Sequence, residues 1–93
     1  MTAPKNPSRA SAIAATLAFA EAFVAESDGA EAARRRGEDL GVECVSTGVA
    51  AALTLLAKVV NARAVAEIGT GTGVSALALL AGMAPDGVLT SID

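Results

Sequence analysis

The residues best equipped for chemistry lie in one run, Glu67-Ile-Gly-Thr-Gly-Thr-Gly-Val-Ser75, followed eighteen residues after Ser75 by Asp93. Glycines at alternate positions (Gly69, Gly71 and Gly73) let a chain turn sharply and let a ligand approach the backbone closely. A helix starting directly after such a loop presents free N–H groups at its first turn. A dinucleotide fingerprint, G-x-G-x-x-G, would need its third glycine at position 74, where Val74 stands. Glu67 precedes the first glycine by two residues, and a carboxylate there suits a positively charged ligand better than a pyrophosphate. The reading is a ligand-binding turn that favours a cation.

The flanking segments supply the elements that must hold this turn. Ala64 to Ile68 is a short apolar run ended by glycine, the pattern of a buried parallel strand. Val74 to Met83 reads as a helix with Leu77, Leu80 and Ala81 available to pack on a sheet. Pro85-Asp86-Gly87 makes a turn, and Val88 to Ile92 a second strand, which places Asp93 at its end. Open α/β sheets bind ligands at this edge.

Upstream, Met1 to Pro7 reads as a mobile tail. A helix with one broad apolar face is expected over Ala10 to Glu26, capped by Ser8 or Ser11 and carrying Ile13, Leu17, Phe19, Ala20, Phe23 and Val24. Asp28 is placed to cap a charged helix running to Leu40, with Gly41 ending it. Arg34, Arg35 and Arg36 suggest phosphate docking, but Glu31 four residues before Arg35 and Glu38 four after Arg34 make a solvated, ion-paired face the better reading. A third helix fits Gly48 to Val60, capped by Thr47, with Val49, Leu53, Leu56 and Val60 in one stripe and Thr54 and Lys58 on its polar side.

Composition removes several function classes. A net charge of −3, with the one arginine run flanked by Glu31 and Glu38, leaves no footprint for nucleic acid. With Cys44 as the single cysteine, no internal disulfide and no multi-cysteine metal site can form, which fits a reducing cytoplasm; Cys44 itself reads as a small buried apolar residue. The absence of histidine removes the commonest general base, so the catalytic residues are unknown. Lys5 and Arg9 before an apolar stretch imitate a secretory leader, but Glu21 interrupts the stretch, and it is shorter than the roughly 20 residues of a membrane span. No membrane partner is expected.

The run from Glu67 to Ser75, together with Gly87-Val-Leu-Thr-Ser-Ile-Asp93, resembles the first and second motifs of the caffeoyl-CoA and catechol O-methyltransferases, a group of class I S-adenosylmethionine (SAM)-dependent enzymes. The likeness covers about residues 40–93. It implies an α/β fold: N-terminal helices (8–61) and the first β-α-β unit (62–93) of a Rossmann-like methyltransferase domain, with its seven-stranded sheet incomplete in this chain. It also implies that Gly69, Thr70, Gly71 and Gly73 line the methionine part of SAM, that Glu67 is the group's acidic residue before the loop, and that Ser75 holds the cofactor's carboxylate. Asp93 would bond the ribose hydroxyls, and the segment of Val45, Ser46 and Thr47 would close over the cofactor. A small-molecule methyl acceptor and a homodimer in a full-length parent follow from the same likeness. Any divalent metal would be held by carboxylates C-terminal to Asp93, and the 93-residue chain would be an inactive fragment that tends to associate through exposed strand edges. The competing readings are an NAD(P)-dependent oxidoreductase fragment of Rossmann type, and a non-catalytic truncated product or helical interaction module.

Overall fold

The computed structural model describes residues 7–93. Four helices and two strands follow in the order α1 (Pro7–Phe23), α2 (Asp28–Leu40), α3 (Thr47–Val59), β1 (Ala64–Ile68), α4 (Val74–Gly82), β2 (Val88–Ile92). The strands pair in parallel with Ala64 opposite Val88 and Glu67 opposite Ser91, α4 providing the crossover. This is the β-α-β unit expected from the glycine and proline punctuation, within an α/β architecture.

The fourth helix starts at Val74 as expected, whereas the starts of the first three differ by a residue or more. α1 begins at Pro7, so this residue leaves the expected tail, whose other six residues lie outside the described ones. A proline's fixed φ is already helical and its missing N–H is no loss in a first turn, so Ser8 and Ser11 fall inside the helix instead of capping it. α2 is capped by Ser27, whose Oγ accepts from the Ala30 N–H, and α3 by Ser46, whose Oγ accepts from the Val49 N–H. Both caps have extended backbone, which leaves Asp28 and Thr47 in the first turn. Gly41 ends α2 at φ 70°, as its position suggests.

The core is built from small side chains: Ala33, Ala50, Ala57, Val74 and Met83 are buried. The α3–α4 seam explains why. A Cβ on Gly82 would lie inside van der Waals distance of the Thr54 carbonyl oxygen, so the close approach of the helices at this point needs a glycine. Thr54 is therefore in the seam and not on a polar outer side, its hydroxyl 2.7 Å from the Ala78 carbonyl oxygen and 3.2 Å from that of Ala50. The expected stripe of large residues turns outward instead, with Val49, Leu56 and Val60 exposed. Leu77 and Leu80 of α4 are exposed as well. β1, expected to be buried, has one neighbouring strand, and Ile68 is 89% exposed. α1 keeps its apolar residues exposed, Phe19 and Phe23 touching each other at 5.7 Å between ring centroids.

Candidate functional site

The turn after β1 is a run of left-handed glycines, Gly69 at φ 83°, Gly71 at φ 55° and Gly73 at φ 97°. Any other residue type would be strained at these angles. Gly69 is held at the sheet edge by its N–H bond to the Ile92 carbonyl (2.6 Å), and Gly73 closes the turn by its bond to the Thr70 carbonyl (3.1 Å) while serving as N-cap of α4. A Cβ on Gly69 or Gly73 would meet no atom within 4 Å, and one on Gly71 would meet only Val42 Cγ1 at 3.4 Å. The backbone of the turn thus faces open space on one side, which is the room a closely approaching ligand needs.

That space is a cleft of about 290 Å³ between the turn and the segment leading into α3, lined by Glu43, Cys44, Val45, Gly69, Thr70, Gly71, Thr72, Val74 and Ser75. Beside it, Glu67 receives two hydroxyl donors: Ser75 at 2.8 Å to Oε2 and Ser91 at 3.0 Å to Oε1. Ser91 is in turn 2.5 Å from Thr70 Oγ1, so a Thr70–Ser91–Glu67 chain of hydroxyls links the turn to the carboxylate. The set combines an anionic group, hydroxyl donors and an accessible backbone. It suits a ligand with an ammonium and a carboxylate, and so the residues present fit the methionine part of SAM.

Of the expected site residues, Val45, Gly69, Thr70, Gly71 and Ser75 line this cleft, Glu67 lies behind Ser75 without lining it, and Gly73 closes the turn. Asp93 follows β2, one residue past the Ile92 carbonyl that receives the Gly69 N–H, and does not line the cleft. Ser46 does not line it either; its hydroxyl caps α3 and lies 3.2 Å from Glu21 Oε1. Ser91, Thr72 and Cys44 were missing from the sequence-derived set. Ser91 was legible in principle, since parallel pairing of the two strands places it opposite Glu67. Cys44 is partly exposed on the cleft wall with Sγ 3.5 Å from Thr72 Oγ1, contrary to the expectation of a buried apolar residue.

Two polar clusters brace the segment of residues 44–47. The Arg34 guanidinium forks onto both oxygens of Glu26 (2.5 and 3.1 Å) and donates to the Val45 carbonyl at 2.5 Å. This half-buried arginine is not on a solvated face, unlike the exposed Arg35 and Arg36. The paired guanidinium holds the Glu26 carboxyl below its ordinary value, and Glu26 raises that of Arg34. At the start of α3, Glu21 of α1 accepts from the Gly48 N–H at 2.8 Å, from the Thr47 hydroxyl at 3.0 Å and from Ser46. The Gly48 N–H, the Thr47 and Ser46 hydroxyls and the Arg34 charge hold its carboxyl below the ordinary value against a smaller opposing effect of desolvation. The residue that argues against a secretory leader thus anchors α1 to the N-terminus of α3, where an anion is favoured.

Among the described residues, no helix is long and apolar enough to cross a membrane, and no three metal-ligating side chains come together.

Comparison with known proteins places this geometry. A family model described as O-methyltransferase matches residues 24–93. A relative from Mycobacterium sp. (strain KMS), provisionally named an O-methyltransferase, is 50% identical over 91 residues, covering 98% of this chain and 40% of its own length. Relatives of the same provisional name from Mycobacterium avium (strain 104) and Mycolicibacterium smegmatis are 49% and 48% identical over 94% and 90% of this chain, and 38% and 40% of their own lengths. The chain therefore spans about 40% of the length of the curated relatives it matches. Among solved structures, the O-methyltransferase TomG from Streptomyces achromogenes, determined in complex with SAM, superposes with a TM-score of 0.71 at 30% identity, over 81% of this chain and 34% of TomG. With a family model covering most of its length and a fold shared with TomG, the chain belongs to the O-methyltransferase family.

Proposed function

We propose that the protein transfers a methyl group from SAM to an oxygen of a small-molecule acceptor, and that residues 1–93 form the N-terminal part of one methyltransferase domain. The observation that carries this reading is the Glu67 carboxylate, held by Ser75 and Ser91 at the mouth of a glycine turn whose backbone faces an open cleft. The TomG complex supports it, because the same fold there holds SAM.

When bound, SAM supplies a methyl group made electrophilic by its sulfonium. The residues of this chain bind and orient. Glu67 would receive the cofactor's ammonium, and Ser75 with the early α4 N–H groups would donate to its carboxylate. Gly69, Thr70, Gly71 and Gly73 would let the methionine part lie against the backbone, Val45 and Ser46 would belong to the wall closing over it, and Asp93 would accept from the ribose hydroxyls. The base that takes the acceptor's proton belongs to another part of the protein, as would the ligands of any divalent metal. The reading includes a cytoplasmic homodimer.

Calorimetry on the full-length protein tests it, with SAM and S-adenosylhomocysteine titrated in parallel with NADPH and NADH. Binding of the two sulfur compounds without binding of either nicotinamide is the expected result. Binding of NAD(P)H with no response to SAM would establish the oxidoreductase reading instead.

A further inference from the structure

We propose that Thr72 is a positioning residue for the cofactor site, its hydroxyl tying the glycine turn to α2, and that Gly37 is a glycine because Cys44 and this tie together fill the space beside it. The proposal rests on the SAM reading of the cleft and assigns α2 a part in it: α2 brackets both cleft walls.

Thr72 stands between Gly71 and Gly73, two left-handed residues that have no side chain to anchor the turn. Its Oγ1 donates to the Ala33 carbonyl at 2.6 Å, in the middle of α2 and 39 positions away in sequence. A carbonyl inside a helix already accepts the N–H four residues later, but its oxygen has a second lone pair. Reaching that lone pair requires a gap on the helix surface, and Gly37, one turn after Ala33, is buried where the gap lies. A Cβ on Gly37 would stand 2.5 Å from Cys44 Sγ, 3.2 Å from Thr72 Oγ1 and 3.2 Å from the Val42 carbonyl oxygen. With Thr72 committed as donor to Ala33, its 3.5 Å contact with Cys44 can draw only on the thiol proton, which the Val42 carbonyl at 3.9 Å also faces.

The opposite wall is held from the same helix, since Arg34, adjacent to Ala33, donates to the Val45 carbonyl at 2.5 Å. Ala33, Arg34 and Gly37 thus connect α2 to the 43–45 segment and to the 69–75 turn, the two sides of one cleft. A turn built of three left-handed glycines has much conformational freedom to lose on binding. Fixing it in advance removes part of that cost from ligand binding.

The test uses the full-length protein and two readouts, hydrogen exchange of the amides of residues 71–73 without ligand, and SAM affinity by calorimetry. Thr72→Val keeps the shape and removes the donor. It should speed exchange at these amides by about tenfold, the scale of one lost hydrogen bond, and weaken SAM binding by up to about the same factor, with the fold retained by circular dichroism. Thr72→Ser should restore both properties. Gly37→Ala should reproduce the Thr72→Val losses, and the double variant should be no worse than Gly37→Ala alone. Thr72→Val with wild-type exchange and affinity would overturn the proposal, as would Thr72→Ser as impaired as Thr72→Val. A wild-type protein that fails to bind SAM would count against the cofactor reading, and the exchange measurement would still decide the tie.

Discussion

Ser75, at the start of α4, donates its hydroxyl proton to Oε2 of Glu67 across 2.8 Å, joining the end of β1 to the helix that follows the glycine turn. A hydroxyl has one proton, so Ser75 can bond Glu67 or a ligand carboxylate but not both at once. Binding SAM would release Ser75 from Glu67, and the incoming ammonium would replace the lost donor. The two residues should then contribute unequally. Ser75→Ala loses a bond to the ligand but also one that binding breaks, and should weaken SAM affinity by less than about 1.5 kcal/mol. Glu67→Gln removes the charge proposed to receive the ammonium and should cost about 1.5–3 kcal/mol. Titration of both variants with SAM checks the order, and equal losses would place the ammonium elsewhere.

Gly71→Val should abolish SAM binding. The residue has φ 55°, where a β-branched side chain is strained, and its new methyl groups would crowd Val42 and enter the cleft that Gly71 lines. The measurement is calorimetry with folding verified by circular dichroism, and a folded variant with unchanged affinity would remove the turn from the site.

Glu21 should make stability depend on pH. Its carboxyl is held below the ordinary value of 4.5, first by the Gly48 N–H and then by the Thr47 hydroxyl. A carboxyl whose folded value is depressed contributes stability above its unfolded value and loses it as pH falls through the folded one. Glu26, depressed by Arg34, acts in the same direction. Glu21→Gln should therefore lower the thermal midpoint at neutral pH, and the gap to wild type should close as the pH is brought below about 4, the usual carboxylate range. A gap that stays constant with pH would mean that the carboxylate's charge is not what holds the start of α3.

Gly82→Val should destabilise the chain by at least about 1–3 kcal/mol, the scale of overpacking, because its Cβ would overlap the Thr54 carbonyl. Denaturant unfolding measures this. A loss below about 0.5 kcal/mol, the range of an ordinary surface substitution, would mean that the α3–α4 seam is not closely packed at this point.

The β-α-β unit, its glycine turn and the presence of Glu67, Ser75 and Asp93 around one sheet edge are legible from residue order alone, because these depend on local signals. Glycine permits positive φ, proline and Asp-Gly end elements, and the strands' apolar runs are short. Only the tertiary structure decided which face of each helix is covered. Periodicity shows which residues share a face but not what packs against it, so Val49, Leu53, Leu56 and Val60 form one stripe in the sequence while Ala50, Ala57 and Gly82 make the contact within this chain. The same holds for polar side chains whose partners are distant in sequence. Arg34 had Glu38 within helical reach but bonds Glu26 and Val45, Glu21 reaches the start of α3, and Thr72 finds a carbonyl of α2. Those pairings exist only once the chain has brought α1 against the start of α3 and α2 against the turn, since a hydrogen bond acts over about 3 Å whatever the separation in sequence.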